Sequence, residues 1–153
     1  MSDREVVGEV LSIQLCPGRR QSMRRVDQAR AHEDFGLEGD SHARIQSKRQ
    51  VLLIEHETLM ELGVSVSAVK ENITTRGIGL MKLSPGQRLQ LGEVVRLELT
   101  VPCEPCGRMD EIRPGLREEL DGRRGMLAKV VTGGVFSIGD PIRVVSPGMD
   151  YNS

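Results

Sequence analysis

The chain has 153 residues and a formal charge of −1, from 21 basic and 22 acidic side chains. A chain of this length buries roughly 70% of its unfolded surface in one domain, so no metal or disulfide is required for stability. The balanced charge gives no overall attraction for nucleic acid or an anionic membrane, and an aromatic content of 2% leaves little for stacking bases. We therefore expect one domain that binds neither nucleic acid nor membrane.

The amino terminus, the apolar runs and the cysteines of the chain predict its cellular compartment. The amino terminus carries Asp3, Arg4 and Glu5 instead of the unbroken apolar stretch of a secretory signal. The longest strongly apolar run, residues 51–54, is far shorter than the roughly 20 residues that span a bilayer. Three cysteines, an odd number, are typical of free thiols in a reducing compartment. The sequence thus predicts a cytoplasmic protein.

Alternating apolar residues predict strands in the first half of the chain. The first strand would place Leu11, Ile13 and Leu15 on one face. Residues 51–54 form a continuous apolar run, which predicts a strand covered on both faces. A helix is predicted over residues 55–62, since Gly63 would end it.

The second half of the chain continues this pattern. Alternation at residues 95–101 predicts another strand, and the glycines at residues 132–134 predict a tight turn. A second helix is predicted over residues 114–120, with a proline near its start and Gly122 just past its end.

Together these elements predict a mostly β fold. Six to eight strands are too many for a flat open sheet in a chain of this length. We therefore expect a single β-barrel with two or three short helices over residues 1–146 and a loose tail over residues 147–153.

Cys103 and Cys106 follow the strand predicted to end at Val101, where a rigid element passes into a loop. Such strand ends often carry functional residues. A free thiol has a pKa of about 8.5, so a nucleophilic thiolate needs a stabilising cation nearby. Arg108 is close enough in sequence to lower the pKa of Cys106.

The spacing of these two cysteines leaves four interpretations open. They could be small buried hydrophobes, or a soft-ligand or sulfur-handling site. A thioredoxin-like dithiol would open a helix, whereas this pair precedes a stretch that we expect to be poor in helix. A zinc half-site would need two further ligands from His32, His42, His56 and Cys16.

Two polar segments contain further candidate residues. On an extended segment the side chains of Asp40 and His42 would point the same way, so Asp40 could orient His42 at the rim of a binding site. An aspartate that caps its own turn, beside a surface histidine, explains these residues equally well. Residues 71–77 include Asn72 and Thr74 among several hydrogen-bonding groups. Such a segment suits a ligand rich in heteroatoms or a solvated loop.

Arg123 and Arg124 form a basic pair before the last predicted strands. A guanidinium group binds phosphate well, because it offers a planar fork of donors. A solvated basic edge is the alternative.

In this order, the segments resemble the MOSC domain, the module named after the carboxy-terminal part of molybdenum cofactor sulfurases. The resemblance extends over nearly the whole chain. It rests on residues 39–42, 49–51, 71–77, 83–92, 103–106 and 124–140.

The resemblance implies a β-barrel, binding of the molybdenum cofactor (molybdopterin) and one functional cysteine, which looks like Cys106. That cysteine would ligate molybdenum in a reductase-type reaction or carry a persulfide in sulfur transfer. Thiolate is a soft ligand and a reversible sulfur carrier, so both roles are chemically reasonable. With Cys106 and Arg108 as catalytic residues, the pocket would be lined by Asp40, His42, Arg49, Asn72, Thr74 and Arg124.

The resemblance also predicts partners. These residues have no counterpart of the pyridoxal-phosphate desulfurase domain of full sulfurases, so pyridoxal phosphate is not expected in this chain. A separate sulfur donor or a molybdoenzyme would be a partner. Two alternatives to a sulfur transferase or molybdenum-dependent oxidoreductase stay open: a non-catalytic cofactor carrier, and a metal-free enzyme acting on small sulfur compounds.

Overall fold

The structure, a computed structural model, describes residues 6–18 and 21–145. The predicted tail at residues 147–153 lies outside these ranges. The described part is mostly β, as predicted. Its strands are β1 (Val6–Leu15), β2 (Arg24–Val26), β3 (Gln28–His32), β4 (Gly36–Leu37), β5 (Val51–Glu55), β6 (Ile73–Arg76), β7 (Arg88–Leu91), β8 (Val95–Pro102), β9 (Met126–Thr132), β10 (Gly134–Ser137) and β11 (Pro141–Val145).

Within residues 6–18 and 21–145, seven strands close a barrel in the order β11, β7, β8, β9, β5, β6 and β1. The ring closes because β1 pairs with β6 and also with β11. Strand β2 pairs with the last residues of β1 and is not one of the seven. β5 and β6 are parallel, and the other barrel pairs are antiparallel. Strands β10, β3 and β4 form a separate small sheet, so the predicted turn at residues 132–134 leads from the barrel into that sheet. The prediction of a single barrel is confirmed.

The first strand differs from its predicted alternation. Ile13 and Leu15 lie in the main core together with Val10, whereas Leu11 is only partly buried. The register against β6 shifts between Val10 and Ser12, which is a β-bulge. Because a bulge adds one residue to one strand, it moves Leu11 off the core face and lets Val10 and Ile13 share it.

Strand β5 is covered on both faces, as predicted. Val51 and Leu53 point into the main core, Ile54 packs in a second apolar cluster, and Leu52 packs with Cys103 in a third. Strand β5 therefore has side chains both in the barrel interior and on the outer surface, where the candidate site lies.

Three short helices lie in the described ranges: α1 (His56–Leu62), α2 (Arg108–Ile112) and α3 (Leu116–Glu119). Helix α1 ends at Gly63, which has a φ of 66°, and α3 lies inside the predicted helix at residues 114–120. The expectation of a helix-poor stretch directly after Cys106 is wrong, because α2 lies there in addition to the predicted α3. Met109 and Leu116 are buried in the second apolar cluster, and such packing supports helices too short to form alone.

None of the helices in the described residues has the length and apolar character needed to cross a bilayer.

Gly125 fixes the approach of the chain to β5. Its φ of +117° lies in a region that favours glycine, and a Cβ atom there would overlap the carbonyl oxygen of Leu53. The carbonyl of Gly125 also accepts a hydrogen bond from the N–H of Cys103 at 2.8 Å. Gly125 therefore holds its neighbour Arg124 and the residue Cys103 against the same part of the barrel wall.

Replacing Gly125 tests this constraint. We expect Gly125→Ala to destabilise the protein by at least about 2 kcal/mol, because it combines an unfavourable φ with a backbone overlap. The matched control is Gly122→Ala, at a φ of +77° with no atom within 4 Å of the added Cβ. The control should lose only about 1 kcal/mol. Chemical denaturation measures both, and equal losses would contradict the close approach.

Candidate functional site

A cavity of about 150 Å³ opens on the outer side of the barrel wall. The strands behind it, β8, β9, β5 and β6, are neighbours in the barrel, so segments distant in sequence meet there. We call it the basic cavity. Its lining residues are His42, Arg49, Leu52, Lys70, Asn72, Cys103, Arg124 and Leu127.

Two shallower depressions adjoin the basic cavity. One, of about 530 Å³, shares Lys70 and is also lined by Arg108 and Glu111. The other, of about 230 Å³, shares His42 and Arg49 and is also lined by Ser41, Arg44 and Ser47. The three together form what we call the basic trough. Its charged lining is mainly cationic, which concentrates positive potential on a chain whose net charge is −1.

Arg124 is the most buried cation of the basic cavity, with 7% of its surface exposed. Its Nη2 donates a hydrogen bond to the carbonyl of Val69 at 2.6 Å. Among the described residues, its buried Nε and Nη1 have no hydrogen-bond partner. Buried donors are almost always paired, so a lone guanidinium in a cavity wall favours an anionic ligand.

Asp40 and His42 lie next to each other at the rim of the basic cavity. His42 Nδ1 lies 3.7 Å from Oδ1 of Asp40, whose carboxylate is buried. The same Oδ1 accepts a hydrogen bond from the N–H of Cys16 at 2.8 Å. Interaction of the ring N–H with the Asp40 carboxylate raises the pKa of His42 above 6.5, against smaller opposing effects of burial, Arg49 and Lys70. His42 therefore tends to add positive charge to the cavity.

Asn72 lines the basic cavity, but its side-chain amide is engaged with the backbone. Its Oδ1 accepts from the N–H of Leu52 at 3.0 Å, and its Nδ2 donates to the carbonyl of Gln14 at 3.2 Å. Asn72 thus ties β1 to β5 where both pass behind the cavity. This arrangement indicates that Asn72 holds the wall in place.

The structure does not bring Thr74 to the cavity. Thr74 is fully buried; its hydroxyl donates to Oε2 of Glu71 at 3.1 Å and accepts from Nε2 of Gln14 at 3.3 Å. Burial raises the pKa of Glu71 above 4.5, opposed by hydrogen bonds from the N–H of Ser67 and from Thr74 and by the charge of Arg124. This network lies behind the wall and supports the residues in front of it.

Cys106 is exposed and is not among the lining residues of the basic cavity. It lies between Cys103, which lines that cavity, and Arg108, which lines the adjoining depression. The catalytic roles of Cys106 and Arg108 and the metal-ligand role of Cys106 stay predictions.

Besides Leu52 and Leu127, two lining residues of the basic cavity with a reactive or charged side chain were not among the predicted site residues. Cys103, which has 8% of its surface exposed, packs against Leu52 and Leu127 while also lining the cavity. Lys70 joins two parts of the trough, and its Nζ donates to the carbonyl of Gln21 at 2.8 Å. Its position directly before residues 71–77 was the signal that could have indicated it.

The zinc half-site interpretation gains no support. Across residues 6–18 and 21–145, no three His, Cys, Asp or Glu side chains form a group that could hold a metal ion.

The Asp40–His42 pair predicts a pH dependence. Because the folded protein has a raised His42 pKa, the stabilising contribution of the pair is complete below about pH 6.5 and is lost as the pH rises through that pKa. Asp40→Asn should lower the pKa of His42, as read from an NMR titration of its ring protons. It should also cost more stability at pH 6 than at pH 8.

Asp34→Asn is the matched control, because Asp34 accepts hydrogen bonds from Gln46 and Gln50 and from no histidine. It should leave the His42 titration unchanged. An unaltered titration in Asp40→Asn would refute the pairing.

Comparison with known proteins identifies a family and several solved structures with a similar fold. The family model described as MOSC domain matches residues 39–143. No curated protein sequence matches the chain. The crystal structure of the YUAD protein from Bacillus subtilis is similar with a TM-score of 0.78 at 18% identity, covering 94% of this chain and 98% of that one.

Two further solved structures share the fold. YiiM from Escherichia coli has a TM-score of 0.67 at 20% identity, covering 92% of this chain and 69% of that one. YiiM from Geobacillus stearothermophilus has a TM-score of 0.73 at 16% identity, covering 91% and 75%. Since the family model matches residues 39–143, more than half of the sequence, the chain belongs to the MOSC domain family.

Proposed function

We propose that the protein binds the molybdenum cofactor (molybdopterin) in the basic trough and uses Cys106 beside it, in sulfur transfer or as a molybdenum ligand in a reductase-type reaction. The MOSC family is associated with binding of this cofactor. The proposal concerns how this particular chain would hold it.

The observation that carries the proposal is the incomplete pairing of Arg124. Its Nε and Nη1 are buried without a partner among the described residues. Each buried, unsatisfied donor costs about 1–3 kcal/mol, and more where the group is charged. An anion that accepts from one of these atoms and from the second hydrogen of Nη2 would recover part of that free energy, because neighbouring guanidinium N–H groups form a planar fork that phosphate oxygens match.

The size of the site fits one end of the cofactor. Whole organic cofactors usually occupy roughly 300–1,000 Å³, so a cavity of about 150 Å³ holds a single charged group. The adjoining depressions of about 530 Å³ and 230 Å³ offer room for the remainder. The donor set therefore fits a ligand with an anionic end and an extended polar body.

The residues of the trough would divide the binding as follows. Arg124 donates to the anionic group, and His42, held by Asp40, adds a second cationic donor. Arg49 and Lys70 contribute charge at the edges of the cavity. Asn72 and Thr74 act from within the wall, because their polar atoms are engaged with other protein groups.

Cys106 would supply the thiol. Its exposure allows an external sulfur donor or substrate to reach it. The lining of the trough by Cys103 and Arg108, close to Cys106 in sequence, supports a position near the trough. When bound, the cofactor would supply a metal centre with affinity for soft sulfur ligands. The chain itself binds, orients and offers the thiolate.

Arg124 provides the sharpest test. Arg124→Gln should weaken cofactor binding at least about tenfold, because it removes a charge-assisted fork worth about 1.5–3 kcal/mol. Arg124→Lys, which keeps the charge and can still donate to Val69, should show an intermediate loss. Molybdenum by elemental analysis and pterin by fluorescence, both per mole of protein from a molybdenum-replete host, give the result.

Arg123→Gln is the matched control. Arg123 is partly exposed, pairs with Glu61 and the carbonyl of Glu119, and lines no part of the trough, so its removal should change cofactor content less than about twofold. Thermal unfolding checks that each variant is folded. Equal cofactor content in the Arg124 and Arg123 variants would rule out the proposed anion site.

A second experiment addresses Cys106. Cys106→Ala should lower either the molybdenum retained by the loaded protein or its turnover of N-hydroxylated or thiolated substrates. Cys16→Ala controls for loss of a thiol elsewhere, since Cys16 is buried and donates to the carbonyl of Gly18. Unchanged retention and turnover in Cys106→Ala would dismiss the role of this residue.

A further inference from the structure

We infer that the two cysteines share the handling of sulfur: exposed Cys106 receives a sulfane sulfur from a small persulfide donor, and Cys103 accepts it inside the basic cavity. This inference deepens the proposed function by assigning Cys103, and it rests on the sulfur-transfer branch of that proposal.

The two thiols lie in contrasting surroundings. Cys106 is exposed, where a donor molecule can reach it, whereas Cys103 retains 8% exposure and lines the basic cavity. Thiol–disulfide exchange depends on access to the attacked sulfur. An external donor would therefore react first with Cys106.

Arg124 provides an independent reason to place an anion beside Cys103. The unpartnered Nε and Nη1 belong to a side chain that is more than nine-tenths buried and lines the same cavity. Arg49 and Lys70 line it too. In the protein without cofactor, a persulfide anion on Cys103 adds one sulfur atom and one negative charge, which suits a cavity of about 150 Å³ lined by these cations.

The segment between the thiols is short and held at both ends. The N–H of Cys103 donates to the carbonyl of Gly125 at 2.8 Å, and the carbonyl of Cys106 accepts from the N–H of Met109 at 3.0 Å. Residues 103–106 have no regular secondary structure. Cys103 and Cys106 are three residues apart in sequence, so their Cα atoms lie at most about 11 Å from each other. Two intervening residues is also the spacing found in pairs of cysteines that exchange disulfides.

The chemistry of the transfer balances without a further oxidant. The donor persulfide gives its terminal sulfur to the Cys106 thiolate and leaves as a thiol. The Cys103 thiolate then attacks the terminal sulfur of the Cys106 persulfide. A new S–S bond forms on Cys103, the S–S bond to Cys106 breaks, and Cys106 leaves as a thiolate that takes up the proton released by the Cys103 thiol.

The test uses the full chain without cofactor, so that it is independent of cofactor binding. Reduced protein is mixed with glutathione persulfide, quenched with an alkylating reagent at successive times, and analysed by peptide mass spectrometry for one added sulfur on each cysteine. In the unsubstituted protein the added sulfur should appear first on Cys106 and later on Cys103.

The variants separate the two steps. Cys106→Ser should slow the loading of Cys103 by at least about tenfold, because the donor must then reach a buried sulfur directly. Cys103→Ser should leave the added sulfur on Cys106. Arg124→Gln should load Cys106 normally and slow the second step, whereas Arg123→Gln should alter neither.

Loading of Cys103 at an undiminished rate in Cys106→Ser would overturn the inference, as would sulfur that never leaves Cys106 in the unsubstituted protein. If the protein still binds cofactor in either case, the proposed anion site at Arg124 would remain supported. Transfer between the cysteines in a protein that fails to bind cofactor would instead support the relay and refute the proposed cofactor site.

Discussion

The candidate site depends on how the guanidinium group of Arg124 is held in the barrel wall. One hydrogen bond to Val69 fixes the group, and the close approach of Gly125 to Leu53 prevents the chain from moving outward. The remaining donors are removed from water without a partner in the described structure. A buried charge of this kind is costly to the unliganded protein and is consequently a strong source of affinity for an anion.

The barrel topology determines which residues surround Arg124. Because β9, β5 and β6 are adjacent, Arg124 before β9 meets Asn72 and Lys70 before β6 on the outer side of β5. The connection from β4 to β5 adds His42 and Arg49. A chain with almost no net charge thereby acquires a local positive surface, which is the form of electrostatic attraction suited to a small anionic ligand.

Polar side chains in and behind the wall serve this arrangement through hydrogen bonds to other protein groups. The amide of Asn72 joins β1 to β5, and the hydroxyl of Thr74 joins Glu71 to Gln14. A buried polar network is rigid when every group has its hydrogen-bond partner, because breaking one bond leaves a buried polar group unpaired at a high cost in free energy. The exception is Oε1 of Glu71, which has no hydrogen-bond partner among the described residues. The positive charge of Arg124 acts on this carboxyl group and opposes the rise in its pKa.

Much of the local structure was encoded in short patterns. The continuous apolar run at residues 51–54 predicted a strand buried on both faces, and Gly63 predicted the end of α1. The ordered motifs were sufficient to indicate the family, since the family model covers residues 39–143. These features depend on neighbours in sequence, where periodicity and glycine conformation act directly.

Other features were decided by tertiary packing. The bulge at Leu11 and the short helix α2 depend on partners far away in the chain, so local alternation could not reveal them. The same holds for the site: Thr74 was predicted to line it and lies behind the wall, whereas Lys70 and Cys103 were not predicted and line it. The sequence by itself determined which residue types were available for the chemistry. The pairing of β5 with β6 and β9 decided which of them share one cavity, because that pairing brings together segments that lie far apart in the sequence.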